Sequence, residues 1–150
     1  MKSSADAPVD DNLAFLLVTA ARLLRGRLES ALQGAELDIS TSESRTLAMA
    51  QRLGAVRQAE LAASLGIEPM SLVSHLDRLE KAGLIRRTAD PNDRRSKLVL
   101  LTPAAQPQLK QIRKVLDDAR RAAMHAFSTT ELATFQVYLQ RLCRDLMNDV

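Results

Sequence analysis

The stretch LIRRTADPNDRRSKLVLL, Leu84–Leu101, decides how this chain is read. Two short apolar segments, Leu84–Thr88 and Lys97–Leu101, flank a proline–asparagine turn, and this spacing predicts paired strands with a charged loop between them. From Arg86 to Lys97 there are five cations and two anions, so this stretch accounts for the whole net charge of +3. A solvated turn is the ordinary meaning of such a loop. The segments on either side change that meaning.

Immediately upstream, Pro69 suits a first helical turn because its missing N–H has no partner there, and Gly83 suits a left-handed cap. Together they bracket a helix over about Pro69–Ala82. On a cylinder of 3.6 residues per turn, Leu72, Val73, Leu76 and Leu79 gather on one side, and Ser71, Ser74, His75 and Arg78 on another. The second set offers hydroxyls, an imidazole and a guanidinium, which can bond base edges or phosphates in a major groove that admits a helix. Solvated surface is the alternative for this helix taken alone. A shorter helix, Gln58–Ser64, stopping at Gly66, makes the pair a helix-turn-helix with its second member presented outward.

A hairpin that follows such a helix projects sideways from it and reaches the neighbouring minor groove. Narrow A/T-rich minor grooves carry enhanced negative potential and favour an inserted arginine, the place expected for Arg95. Asp93, two residues earlier, is expected to fix that guanidinium by a charge-assisted hydrogen bond. Arg86, Arg87, Arg94 and Lys97 are then placed for phosphates.

Residues 1–9 carry no periodic pattern and read as a disordered tail. Asp10 or Asp11 caps a first helix to about Gln33, ended by Gly34. Ser40-x-x-Glu43 is a capping-box pattern that opens a second helix to Leu53, closed by Gly54. Thr102-Pro103 starts a fifth helix to about Phe127, with Pro107 making its first turn irregular, and Ser128-x-x-Glu131 opens the last. The fold class that follows is mainly α with a small β-hairpin wing. It is a winged helix-turn-helix, about 37–102, held between long terminal helices, about 10–34 and 102–148, in a single domain over 10–150. The first helix has no charged residue from Leu13 to Ala21, and the last has apolar residues on more than one side. Burial against a second copy accounts for this excess, and a two-fold dimer offers two recognition helices to half-sites about one helical turn apart. An apolar stripe serving only the monomer core is the alternative.

Composition narrows the functions. With 3% aromatic residues and no Trp, the chain lacks the stacking platform of a single-strand binder. No apolar run reaches the roughly 18 residues that span a bilayer, so no membrane is expected and the cytoplasm is the expected location. No Ser-His-Asp order, glycine-rich phosphate loop or metal spacing appears, and His75 and His125 are too few for a metal site. Neither an enzyme nor a cofactor is therefore expected. The lone Cys143, near Arg141 and Arg144, is a candidate redox sensor, with a small packing residue as the alternative.

Leu79-Glu80-Lys81-Ala82-Gly83-Leu84-Ile85-x-Arg87, followed by Asp93-x-Arg95 and Leu101-Thr102, resembles the signature of the MarR family of bacterial winged-helix regulators. The segment IEPMSLVSHLDRLEKAGLIRR, residues 67–87, is further similar to the SlyA-like branch. The resemblance implies an Asp93-x-Arg95 wing tip that sets an arginine for the minor groove, and a reading surface of Met70, Ser71, Ser74 and His75. It also implies a homodimer built from the first, fifth and sixth helices, acting as repressor or anti-silencer on a pseudo-palindromic duplex. Finally it implies a small aromatic or phenolic effector between the dimer region and the DNA-binding lobe. Arg22, Arg25 and Arg45 are candidate partners for such a ligand, solvated or DNA-facing arginines being the alternative. A winged-helix module that binds protein rather than DNA is the competing function.

Overall fold

Serine, glycine and proline set the element boundaries, as local backbone chemistry requires. In the computed structural model, which describes residues 11–148, helix α1 runs Asp11–Gly34 and α2 runs Thr41–Leu53. The tail expected over residues 1–9, and Asp10, lie outside the described residues. Ser40 caps α2 as its spacing to Glu43 predicts: its hydroxyl accepts from the Glu43 N–H, and the Glu43 carboxylate accepts from the Ser40 N–H. Gly54 closes α2 at φ 75°, a conformation that side chains resist.

A two-residue strand, β1 (Val56–Arg57), leads into α3 (Gln58–Leu65), whose end is turned by Gly66 in the left-handed region. The Ile67 N–H reaches back to the Ala62 carbonyl there, closing the turn, and Pro69 starts α4 (Pro69–Lys81). Strands β2 (Ile85–Asp90) and β3 (Asp93–Leu101) form the wing, and a 3-10 turn at Pro103–Ala105 precedes α5 (Gln106–Ala123) and α6 (Thr129–Asn148). The sheet order is β1-β3-β2, antiparallel throughout, with Val56 opposite Val99 and Ile85 opposite Leu101.

The core lies where α2, α3 and α4 meet the base of the sheet and the start of α5. Leu47, Leu61, Leu72, Leu76, Leu79, Val99, Leu109 and Ile112 are all sealed from solvent, and Leu32 brings in the end of α1. Truncating one such leucine to alanine costs about 2–5 kcal/mol, since neighbours collapse only partly into the gap. In contrast, α6 buries none of its residues within the single chain.

Three expectations need correction. The strands are longer than Leu84–Thr88 and Lys97–Leu101, so the loop shrinks to Pro91–Asn92, and Arg94, Arg95 and Lys97 lie on β3 itself. Ladder bonds join backbone groups, which pair equally well under charged side chains on an exposed ribbon. The Thr102 hydroxyl does not cap α5 but donates to the Gly83 carbonyl at 2.6 Å, and the irregular first turn expected from Pro107 takes the form of the 3-10 turn. Helix α5 ends at Ala123 rather than Phe127. The ring Nδ1 of His125 lies 2.9 Å from the Ala122 carbonyl at that end, and Phe127 turns to stack on Phe135, ring centroids 6.3 Å apart.

Candidate nucleic-acid interface

On α4 the buried face of Leu72, Leu76 and Leu79 packs inward and dictates what points out. Met70 is 79% exposed at the start of the helix, and Ser71 and Ser74 are exposed beside it, the Ser74 hydroxyl donating to the Ser71 carbonyl at 3.1 Å. His75 and Arg78 were expected to face outward, and each also has a partner within the protein. The His75 ring is half-buried, with Nδ1 3.4 Å from the Thr46 hydroxyl of α2. Arg78 donates from Nε to the nearly buried Glu43 carboxylate, although its side chain remains largely exposed. Burial works to raise the Glu43 carboxyl, but Arg78 and the Ser40 bonds outweigh it and hold that group below its ordinary value.

The wing is built on two carboxylates. Asp90, only 3% exposed, accepts from the Asn92 N–H at 2.8 Å and from Arg57 Nε at 2.6 Å, which ties the hairpin turn to the β1 edge. Asp93 accepts from the Arg95 backbone N–H at 3.0 Å and from the Ser96 hydroxyl at 2.7 Å. Asp93 therefore does not hold the Arg95 guanidinium, as was expected. A short carboxylate two residues upstream reaches the nearer backbone donor first, and the bond it makes shapes the strand end.

Arg87 is also reassigned. It was placed for phosphates, but its guanidinium bonds Glu80 at 2.6 and 3.0 Å and Asp77 at 2.6 Å, and its side chain is only 16% exposed. This brace clamps β2 to α4 and holds the Glu80 carboxyl below its usual range. Its signal in the sequence was the pairing of Glu80 with Arg87 across the Gly83 turn. The Arg57–Asp90 tie was missed because its two residues lie far apart in the chain.

Arg86, Arg94, Arg95 and Lys97 are exposed, and none is paired with a carboxylate among the described residues. Arg95 and Lys97 line a cleft of about 480 Å³ together with Pro69, Met70 and Val73 of α4. One side of β3 and the start of α4 thus open onto a common cleft, which also takes in the paired Arg57 and Arg87, while Arg86 and Arg94 lie outside its lining.

The three candidate ligand arginines do not converge. Arg25 and Arg45 line a cavity of about 350 Å³ between α1, α2 and α5, floored by Leu32, Met49 and Leu65, and Arg45 there pairs with Glu29 at 2.7 Å. Arg22 lies on a separate shallow groove with Ala119. Among the described residues no group of His, Cys, Asp and Glu is arranged to hold a metal ion, and no helix is long and apolar enough to cross a membrane. Cys143 is exposed and unbridged.

Comparison with known proteins agrees with this geometry. The MarR family profile matches residues 39–97. A MarR family transcriptional regulator from Rhodococcus sp. RHA1 superposes with a TM-score of 0.71 at 26% identity, covering 92% of this chain and 96% of its own. The apo form of wild-type MarR from E. coli gives 0.68 at 24% identity, covering 87% of this chain and 95% of its own. A cysteine-to-serine mutant of the same protein, complexed with operator DNA, gives 0.64 at 24% identity, covering 88% and 94%. Through residues 39–97 the chain is thus similar to the MarR family, a family of transcription regulators.

Proposed function

We propose that this chain is a homodimeric, sequence-specific DNA-binding regulator of transcription. It lays α4 in the major groove of a pseudo-palindromic duplex and inserts Arg95 into the adjoining minor groove. The observation that carries this reading is the shared cleft. Arg95 and Lys97, without a carboxylate partner among the described residues, line it together with the exposed Met70, so one docking motion brings both elements to a duplex. Arg86 and Arg94 supply phosphate contacts, and Ser71, Ser74 and His75 supply base contacts. The complex of a mutant E. coli MarR of this fold with operator DNA supports duplex DNA as the partner.

The dimer rests on uncovered apolar surface. Helix α6 exposes Phe135, Val137, Tyr138, Leu146 and Met147, and α1 exposes Leu13, Phe15, Leu16 and Val18, more than an isolated soluble subunit leaves to water. Pairing of α1, α5 and α6 with their copies covers it and sets two recognition helices for two half-sites. The regulator acts in the bacterial cytoplasm as repressor or anti-silencer, in the manner of the SlyA-like branch. The Arg25–Arg45 cavity is the place for a small aromatic or phenolic effector.

The test is duplex binding across a salt series, using the DNA upstream of the protein's own gene. The slope of log affinity against log salt should steepen by about 0.9 for each phosphate contact, and binding should survive moderate salt in a sequence-selective manner. Association that occurs only at very low salt, without sequence preference, would instead point to a protein-binding winged helix.

A further inference from the structure

Between α2 and α4 lies a hydrogen-bond chain in which the position of one proton determines what the reading surface offers a base. The Thr46 hydroxyl, on a residue 1% exposed, donates to the Ser42 carbonyl one helical turn back at 2.8 Å. A hydroxyl has a single proton, so toward His75 this oxygen presents only lone pairs. The ring atom facing it at 3.4 Å, Nδ1, is therefore the one that carries hydrogen in the neutral imidazole. Nε2, on the opposite side of the ring, has no partner among the described residues. It is also not among the sealed polar atoms left without one, which are Ser44 Oγ, Gln58 Oε1 and Gln108 Oε1. Nε2 is thus an open lone pair on the same helix as the exposed Ser71 and Ser74.

Resting on the DNA-binding reading above, we infer that His75 is a specificity-determining residue that reads an exocyclic amine. Its Nε2 accepts from adenine N6 or cytosine N4 in the major groove, and Thr46 is the positioning residue that keeps it an acceptor. Guanine and thymine offer only acceptors on that edge, so their O6 or O4 would oppose the lone pair. At one position of each half-site the contacted strand is then restricted to A or C. The surroundings favour the neutral ring: burial first, then Arg78 on its own helix, lower its proton affinity against an opposing pull from Glu43 on α2, and Arg45 on α2 adds a smaller lowering.

Two measurements on the full chain test this. Nitrogen-15 NMR of the imidazole at neutral pH should show His75 protonated at Nδ1 and bare at Nε2, and Thr46→Val should shift it toward the Nε2–H tautomer that free histidine prefers. A wild-type ring protonated at Nε2 overturns the inference. Selection from random duplexes should give A or C at one position per half-site with wild type, relaxed at that position alone in His75→Ala. The same variant should bind the wild-type-selected duplex about five- to tenfold more weakly, the worth of one base hydrogen bond. Thr46→Val, which keeps the shape of the buried side chain, should admit G or T there while other positions hold. If His75→Ala selects the same site as wild type, His75 is not a reader and the docking model survives. If wild type selects no duplex at all, the docking model fails and this inference fails with it.

Discussion

Arg57 and Asp90 meet across the sheet, Nε to Oδ2 at 2.6 Å, and their contact fastens the turn of the wing to the two-residue strand at its edge. The Asp90 carboxyl is held below its ordinary value, by the Asn92 N–H first and then by Arg57. A depressed carboxyl lends stability above its unfolded pKa and loses that contribution as pH falls through its folded value. Wing rigidity should therefore be intact at neutral pH and decline in acid below about pH 4. Asp90→Asn should mimic the acid state at neutral pH, raising amide hydrogen exchange at Asn92 and along β3 while the core amides keep their protection.

Arg95 and Arg87 look alike in the sequence and should behave oppositely. Arg95→Ala should leave thermal stability unchanged and weaken binding mainly to sites with A/T-rich flanks, since the side chain has no ion-pair partner among the described residues. Arg87→Ala should destabilise the fold by about 1–2 kcal/mol, the worth of charge-assisted bonds discounted for half-exposed carboxylate partners. Thermal melts of the two variants beside their binding curves would show it. Equal melting of Arg87→Ala and wild type would deny the brace.

Glu43 couples the α2 cap to α4. Its carboxyl is also held below the ordinary value, so its contribution is present above about pH 4.5 and disappears as acid protonates the folded form. Glu43→Gln removes the charge that holds Arg78. Melting temperature measured between pH 7 and pH 3 should fall less steeply for this variant than for wild type.

The dimer prediction is direct. A charge at Tyr138 or Leu142, on the uncovered side of α6, should yield monomers by sedimentation with helical content preserved. Loss of simultaneous engagement of two half-sites should reduce operator affinity by about a hundredfold or more. A variant that stays dimeric would place the interface elsewhere.

What the sequence allowed and what it hid divide along the range of the interaction. Ser40 with Glu43, Ser128 with Glu131, and the Gly66, Gly83 and Pro69 boundaries involve donors and backbone angles a few residues apart, so spacing is enough to read them. Strand β1 left no trace, because two residues have no periodicity and Val56–Arg57 becomes a strand only where β3 offers it an edge. The separation of braced from free arginines was hidden for a similar reason. Arg87 and Arg95 differ only in whether carboxylates from α4 fold over them. Asp93 was misread through geometry, as a short side chain cannot reach past the nearer backbone N–H to a guanidinium.

Thr102 joins three parts of the molecule at one residue: its N–H meets the Leu84 carbonyl at 3.0 Å, its hydroxyl meets the Gly83 carbonyl at 2.6 Å, and the 3-10 turn into α5 begins beside it. The end of α4 and the root of the hairpin are therefore hitched to the same post. In the proposed dimer, a tilt of α5 would carry both together, holding the angle between them while changing the distance from one copy's head to the other's.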